Sequence, residues 1–139
     1  MEKMNVKGCY IIDFENVNDN NKAFLTIIQT HKHIPFEVKR IFLLSDIKEI
    51  KRGNHAHKKL HQIIISVQGS FLLKLDDGEN KQEIFLDSPS KGVFVSNLVW
   101  KELTNFSEDC KILVLASDYY DEGDYIRNYD DFLKIVKRY

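Results

Sequence analysis

Short apolar stretches follow one another along the chain, and polar or glycine-containing segments separate them. Within these stretches, β-branched, aromatic and alternating apolar residues predict strands rather than helices. Asp76-Asp77-Gly78 predicts a tight hairpin turn, because Asp and Gly tolerate a positive φ. The predicted strands are 9–14, 24–28, 38–44, 60–67, 71–75, 82–86, 93–95, 98–103 and 111–116, with polar loops at 15–21 and 46–53. Many short strands at nearly regular spacing indicate an all-β sandwich or barrel.

The C-terminal segment has a different period. Apolar residues stand at positions 129, 132, 133 and 136, among others, and these four have helical spacing. Asp residues stand near the start of this segment and Lys and Arg near its end, as the helix dipole favours. A short helix over 129–137 is therefore predicted to follow the strands.

Composition narrows the class of protein. The 139 residues are 43% hydrophobic and 29% charged, which is typical of a globular domain, and we expect one domain over 1–139. A net charge of −1 argues against nucleic-acid binding. The longest nearly apolar run, 112–116, is far shorter than the about 20 residues of a membrane helix, and we expect no secretion signal. Two cysteines do not make a disulfide framework, so we expect a cytoplasmic location.

Three of the five histidines lie within seven residues of the segment 52–62. In an extended strand alternate side chains share a face, so His55 and His57 are expected to point the same way. Five Lys or Arg residues and a single Glu lie within 48–61. The pattern is compatible with a metal site, an acid–base pair or a site for an anionic ligand.

The spacing of His55 and His57 resembles the first motif of the cupin family of small β-barrels. In that motif a carboxylate follows five residues later and a glycine seven residues after that; here Gln62 and Gly69 stand at these places. Because Gln62 would otherwise face away from His57, the chain is expected to bend at 58–59. At the third histidine of the cupin set this chain has Lys101, a cation that donates hydrogen bonds and repels a metal. A functional metal is therefore disfavoured, and a solvated histidine pair on a loop is the plain structural alternative.

A closer resemblance extends over roughly 34–133. The segments that carry it are 52–62, 75–78, 86–89, 99–102, 113–122 and 124–130, and together they look like the sugar-nucleotide 3,4-ketoisomerases. The resemblance implies a cupin-type jelly-roll barrel or sandwich with a short C-terminal helix, and no metal or cofactor. It also implies a dTDP-linked 4-keto-6-deoxyhexose as substrate, a 3-keto product for a later aminotransferase in deoxyamino-sugar biosynthesis, and a homodimer that exchanges N-terminal strands.

The same resemblance implies roles for individual residues. His55 would be the base at C3 and His57 would move protons at the oxygens or at C4, and the reverse order stays open. Histidine suits either role because it titrates near neutrality. Cationic side chains would hold the diphosphate or stabilise an enediolate, and aromatic side chains would flank the thymine or the sugar. The residues expected to bind substrate are Arg40, Arg52, Gln62, Trp100, Lys101, Tyr119, Tyr125 and Arg127.

Some positions depart from the family pattern and leave alternatives open. Lys101 replaces a histidine or arginine of the relatives, and Lys22 and Lys101 are expected near C4. Because both residues associated with the galacto product are absent, the gluco configuration at C4 is favoured. One rival is a 3,5-epimerase, which would need a His–Asp pair with a catalytic tyrosine that the sequence does not reveal. The others are a non-catalytic sugar-nucleotide-binding domain, which would not need both histidines, and a metal-dependent cupin.

Overall fold

The computed structural model describes residues 2–138, so both ends of the predicted 1–139 domain lie outside the described residues. Within that range the chain forms thirteen strands and one α-helix. They are β1 (Glu2–Lys3), β2 (Tyr10–Asp13), β3 (Glu15–Asp19), β4 (Ala23–Ile27), β5 (Arg40–Leu44), β6 (Lys51–His57), β7 (Gln62–Gln68), β8 (Phe71–Asp76), β9 (Lys81–Leu86), β10 (Lys91–Val95), β11 (Trp100–Thr104), β12 (Lys111–Ala116), β13 (Tyr125–Ile126) and α1 (Tyr129–Val136).

Two sheets pack face to face. The first has the order β1-β2-β10-β7-β12-β5, the second has the order β13-β6-β11-β8-β9, and β3 pairs with β4 in a separate hairpin. One apolar core joins the sheets, with Ile64 and Ile112 from the first and Leu73 and Leu103 from the second. The prediction of an all-β, cupin-type jelly-roll fold with a short terminal helix is confirmed, and the sheets form a sandwich rather than a closed barrel.

The six-stranded sheet is buried on both faces in its centre. Alternation along β7 sends Ile64 into the core between the sheets and Ile63 and Ile65 to the other face. Ile34 and Phe36, from the connection between β4 and β5, cover that second face. Strands buried on both sides read as continuous apolar runs, which explains the sequence Ile63-Ile64-Ile65.

The predicted strands all occur, and the differences lie at short or polar segments. The stretch 15–21 was expected to be a loop, but 15–19 is strand β3, which pairs with β4 and exposes every residue. Strand β6 begins at Lys51, inside the predicted loop 46–53. The two-residue strands β1 and β13 were not predicted, because a pair of residues carries no periodic signal.

Helix α1 lies against the outer side of the five-stranded sheet. Asn128 caps it by accepting a hydrogen bond from the backbone N–H of Asp131 at 3.0 Å. Phe132 is fully buried, and it packs in one cluster with Ala56 of β6 and Trp100 of β11. The predicted helix is thereby confirmed, and it covers one face of the two strands that carry His57 and Lys101.

A bulge and a bend set the position of the histidine stretch. In the pairing of β6 with β11, Lys101 opposes His55 and Glu102 opposes Gly53, so that Asn54 has no partner of its own. Gly53 and Asn54 both have positive φ, and a Cβ on Gly53 would lie 2.9 Å from a backbone oxygen. After His57 the chain crosses to the other sheet, which confirms the bend expected at 58–59. Across residues 2–138, helices capable of crossing a membrane are absent.

Candidate active site at the end of strand β6

His55 and His57 lie side by side at the end of β6. Their ring centroids are 5.1 Å apart and the rings are nearly perpendicular. Tyr125, the cross-strand partner of His57, packs on both rings, with centroids 4.9 Å from His55 and 4.4 Å from His57. The structure therefore brings together two imidazoles and one phenol that come from β6 and β13.

His57 has one nitrogen bonded and the other free. Its ring is buried, and Nδ1 lies 3.2 Å from Oδ2 of Asp124. Nε2 is also buried, yet it has no hydrogen-bond partner among the described residues. Burial, followed by the charge of Lys101, lowers the pKa of His57 far below its usual value. A neutral ring must therefore donate from Nδ1 to the carboxylate, which leaves the lone pair on Nε2.

His55 reaches the same protonation pattern through a different partner. Its Nδ1 is 2.9 Å from the carbonyl oxygen of Gly53, and a carbonyl only accepts hydrogen bonds. Burial, and then the charge of Lys101, lower the pKa of His55 to about 4. Both histidines are consequently neutral at pH 7, and each keeps one ring nitrogen available to take a proton.

Lys101 is the buried cation of the site. It lies across from His55 on β11, and its side chain is almost fully buried. Burial, and then the positive charge of Arg40, lower its pKa to about 7, and Asp124 acts in the opposite sense. Near neutrality this ammonium is therefore able to lose its charge, which an exposed lysine does not do.

Two of the cavities that Tyr125 lines also have one of the two histidines in their walls. The first has a volume of about 260 Å³, and its walls include Arg40, His57, Tyr119 and Tyr120. The second has a volume of about 330 Å³, and its walls include Arg52, His55 and Arg127. Since Tyr125 lines both, the two cavities belong to one region with the histidine pair in its wall.

The three arginines predicted to bind substrate line these two cavities, but their guanidinium groups have different partners. The guanidinium of Arg40 is 5.3 Å from the ring of Phe42 and 5.6 Å from that of Tyr120, and its Nε has no partner among residues 2–138. Arg127 stacks 4.3 Å from the Tyr125 ring and makes a two-pronged bond to Glu122, at 2.8 and 2.9 Å. The guanidinium of Arg52 is 3.0 Å from Glu49. An anionic ligand would have to compete with a glutamate for Arg127 and for Arg52, whereas no such ion pair involves Arg40 among the described residues.

The remaining residues predicted to bind substrate have different surroundings. Trp100 packs on helix α1, with ring centroids 5.2 Å from Tyr129 and 5.6 Å from Phe132, because it points opposite to Lys101 on β11.

Gln62 is buried on β7 with no partner for Oε1 among the described residues, and it lines neither cavity. Lys22 lies at the exposed turn of the β3–β4 hairpin. Tyr119 lines the first cavity and is 69% exposed.

Asp124 contacts His57 but was not among the site residues predicted from the sequence. A His–Asp pair with a tyrosine could not be placed from the sequence, but in the structure His57, Asp124 and Tyr125 form such a set. The two partners are 67 residues apart, and no local pattern joins them. The pairing of β13 with β6, which brings Tyr125 opposite His57, is what places Asp124 beside the ring. Across residues 2–138, groups of three or more His, Cys, Asp or Glu side chains arranged to hold a metal are absent.

Comparisons with known proteins match nearly the whole chain to one family. The family model described as "FdtA: WxcM-like, C-terminal" matches residues 7–137. The chain is 48% identical over 129 residues to a TDP-4-oxo-6-deoxy-alpha-D-glucose-3,4-oxoisomerase of Aneurinibacillus thermoaerophilus, and the match covers 92% of each protein.

Solved structures of the same group superimpose closely. A 3,4-ketoisomerase from Helicobacter canadensis is 44% identical with a TM-score of 0.89, over 94% of this chain and 98% of that one. The 3,4-ketoisomerase QdtA from Thermoanaerobacterium thermosaccharolyticum is 40% identical with a TM-score of 0.90, over 96% of each chain. That structure is of a variant with a histidine replaced by asparagine, in complex with TDP-4-keto-6-deoxyglucose.

Sugar epimerases are more distant neighbours. A 4-keto-6-deoxy sugar epimerase from Streptomyces spheroides is 16% identical, with a TM-score of 0.76 over 89% of this chain and 70% of that one. At that identity the likeness is one of fold alone. The comparisons therefore favour the ketoisomerases over the epimerase alternative.

Proposed function

We propose that this chain, which belongs to the FdtA, WxcM-like (C-terminal) family, is a sugar-nucleotide 3,4-ketoisomerase that acts on TDP-4-keto-6-deoxyglucose. The observation that carries the proposal is the pair His55 and His57. Both rings are neutral, both have Nδ1 engaged by a hydrogen-bond acceptor, and the two rings are in contact. His57 lines the cavity that contains Arg40, and His55 lines the cavity that contains Arg52 and Arg127. A binding module without chemistry would have no use for two such bases.

The reaction moves a ketone from C4 to C3 without net oxidation. A base removes the hydrogen of C3 as a proton, and the electron pair delocalises onto the C4 oxygen to give an enediolate. The C3 hydroxyl loses its proton, the C4 oxygen gains one, and C4 is protonated. Because every step is a proton transfer, two histidines are sufficient in principle, and no redox cofactor is required.

His55 and His57 divide these transfers between them. In this proposal His55 takes the proton at C3, and His57 moves protons at the oxygens or at C4. General acid–base catalysis contributes about 10² to 10⁴ in rate, so stabilisation of the enediolate must contribute as well. Lys101, buried beside the pair, and Arg52 are the cations that we assign to that role.

The nucleotide end is expected to bind at the cavity of Arg40. A diphosphate suits the planar fork of an arginine, and Arg40 has a buried Nε without a partner among the described residues. Arg127 would exchange its bond to Glu122 for the diphosphate, and Tyr119 and Tyr125 would flank the thymine or the sugar. We further propose the gluco configuration at C4 of the product, because the histidine and the arginine associated with the galacto product are both absent from this chain.

A second copy of the chain is the partner that we propose. The β3–β4 hairpin exposes Val17, Phe24 and Leu25, and the edge strand β5 exposes Ile41 and Leu43. Exposed apolar residues in this number are typical of an interface. Light scattering should give a dimer mass for the unmodified chain, and replacing both Phe24 and Leu25 by Glu should shift it towards the monomer. A monomer in the unmodified chain would refute this part of the proposal.

The two cysteines bear on the cell compartment. Cys9 and Cys110 are both free and buried. Free thiols suit a reducing compartment, and we propose a cytoplasmic location.

Incubation with TDP-4-keto-6-deoxyglucose in deuterium oxide tests the activity. NMR should show deuterium entering at C4 of a 3-keto product, and neither EDTA nor the omission of metal should change the rate. Exchange at C5 without a 3-keto product would identify an epimerase instead. Binding without exchange would identify a binding module, and loss of activity with EDTA would restore the metal-dependent alternative.

A further inference from the structure

Asp124 lies at the centre of the contacts between β6 and the segment before β13. Its Oδ2 is 3.2 Å from Nδ1 of His57 and also accepts the backbone N–H of Leu60 at 3.2 Å. Its Oδ1 accepts the backbone N–H of Lys59 at 2.9 Å, and its own carbonyl accepts that of Lys58 at 2.9 Å. The side chain is 14% exposed. The carboxylate is therefore held rigidly, with both oxygens acting as acceptors.

The two histidines differ in the group that accepts the hydrogen bond from Nδ1. His55 donates to the neutral carbonyl of Gly53, whereas His57 donates to a carboxylate. A carboxylate favours a positively charged donor much more strongly than a carbonyl does. Lys101, Arg40 and Arg127 all disfavour a charge on His57. A negative group against Nδ1 is the feature that would let this ring carry a proton during turnover.

We infer that Asp124 is a positioning residue for His57, which holds the imidazole in the Nδ1–H tautomer so that Nε2 takes up and returns protons. The inference rests on the proposed function for its catalytic meaning, but the tautomer is a property of the protein alone. The proton that Nε2 accepts from a substrate hydroxyl or carbon is returned to the substrate, and the Nδ1 proton stays on the ring throughout. Asp124 itself neither gains nor loses a proton.

The variant Asp124→Asn changes this contact with little change in shape. Because both oxygen positions receive backbone N–H groups, the amide NH₂ must replace one accepting oxygen. The Lys59 bond is the shorter of the two, so the amide oxygen should keep it and the NH₂ should face His57. Nδ1 of His57 would then accept a hydrogen bond, and the proton would move to Nε2.

The tautomer can be measured without substrate, by ¹⁵N NMR on histidine-labelled protein, with His57 assigned from the loss of its signals in His57→Asn. In the unmodified protein Nδ1 of His57 should have the shift of a protonated nitrogen and Nε2 that of an unprotonated one. In Asp124→Asn the two should exchange. An unprotonated Nδ1 in the unmodified protein, or an unchanged tautomer in the variant, would overturn the inference even if the enzyme proved to catalyse another reaction.

Kinetics supply the second measurement. Asp124→Asn should lower kcat about 100-fold or more, within the range of acid–base catalysis, and change KM less than about threefold. In a His57→Asn background the same change should cost less than about threefold, because residues that act through one another are not additive. A full additional 100-fold loss in that background would show that Asp124 acts independently of His57.

Asp77 offers a matched control. It is also an aspartate that ties segments together, accepting backbone N–H groups of Lys7, Glu79 and Asn80, each at 2.8 Å, but it touches no histidine. Asp77→Asn should lower the melting temperature and leave both kcat and the His57 tautomer unchanged. If Asp77→Asn and Asp124→Asn had equal effects on kcat after correction for folded protein, Asp124 would be a structural clamp only.

Discussion

Strands β6 and β11 have two faces with opposite properties. On one face Ala56 and Trp100 pack against helix α1, in a cluster where Phe132 is fully buried. On the other face His57 and Lys101 are buried and His55 is half-buried, and the pKa of each of the three is lowered. Since buried polar atoms without partners are costly, the apolar face offsets what the polar face costs in stability. Because side chains alternate along a strand, one face of β6 and β11 contributes to stability and the other carries the groups proposed for catalysis.

Replacing His55 by Asn should give the largest effect on the polar face. We expect kcat to fall at least about 1,000-fold, because the proposed base at C3 is lost, while affinity for TDP changes less than about threefold. Turnover assays and calorimetric titration with TDP measure the two quantities. A fully active variant would remove His55 from the mechanism.

Truncating Phe132 to Ala tests the opposite face. The residue is fully buried, and such truncations cost about 3–5 kcal/mol of unfolding free energy. Chemical denaturation measures this cost, and kcat per folded molecule should stay within about twofold. A large loss of kcat in the folded fraction would mean that the two faces are coupled rather than separate.

Lys101 should make the rate depend on pH near neutrality. Its pKa is lowered to about 7, so the side chain is charged below that pH and neutral above it. If the charge stabilises the enediolate, kcat falls as pH rises through about 7, and Lys101→Met is slower by about 100-fold at pH 6. Lys101→Arg should keep its charge and lose this alkaline decline. A pH-independent kcat between pH 6 and 9 in the unmodified enzyme would contradict this role.

The smallest effect is expected at Trp100. Although the tryptophan was predicted to flank the substrate, it contacts Tyr129 and Phe132 of the helix side. Trp100→Phe should keep kcat/KM within about threefold and lower the melting temperature modestly. If kcat/KM instead fell tenfold or more with the fold intact, the conclusion that Trp100 has only a structural role would be wrong.

Much of the fold was readable from local pattern. The strands 9–14 to 111–116 and the helix at 129–137 were predicted because period 2 and period 3.6 are properties of neighbouring residues. The hairpin at Asp76-Asp77-Gly78 was predicted because Asp and Gly tolerate a positive φ, and Gly78 has one in the structure. The errors were polar or very short strands, such as β3 and β13, whose formation depends on a partner strand rather than on their own residues.

The residues of the candidate site also fall into those that the sequence predicted and those that only the structure revealed. The sequence by itself determined that His55 and His57 share a face, since they are two residues apart, and resemblance supplied the chemistry that they suit. Only the tertiary structure decided that Asp124 bonds one ring, that Tyr125 covers both, and that Trp100 lies elsewhere. The physical reason is that these contacts depend on which strands pair and which face is buried. Desolvation, which perturbs His57 and Lys101, likewise exists only once the sheets have closed over them.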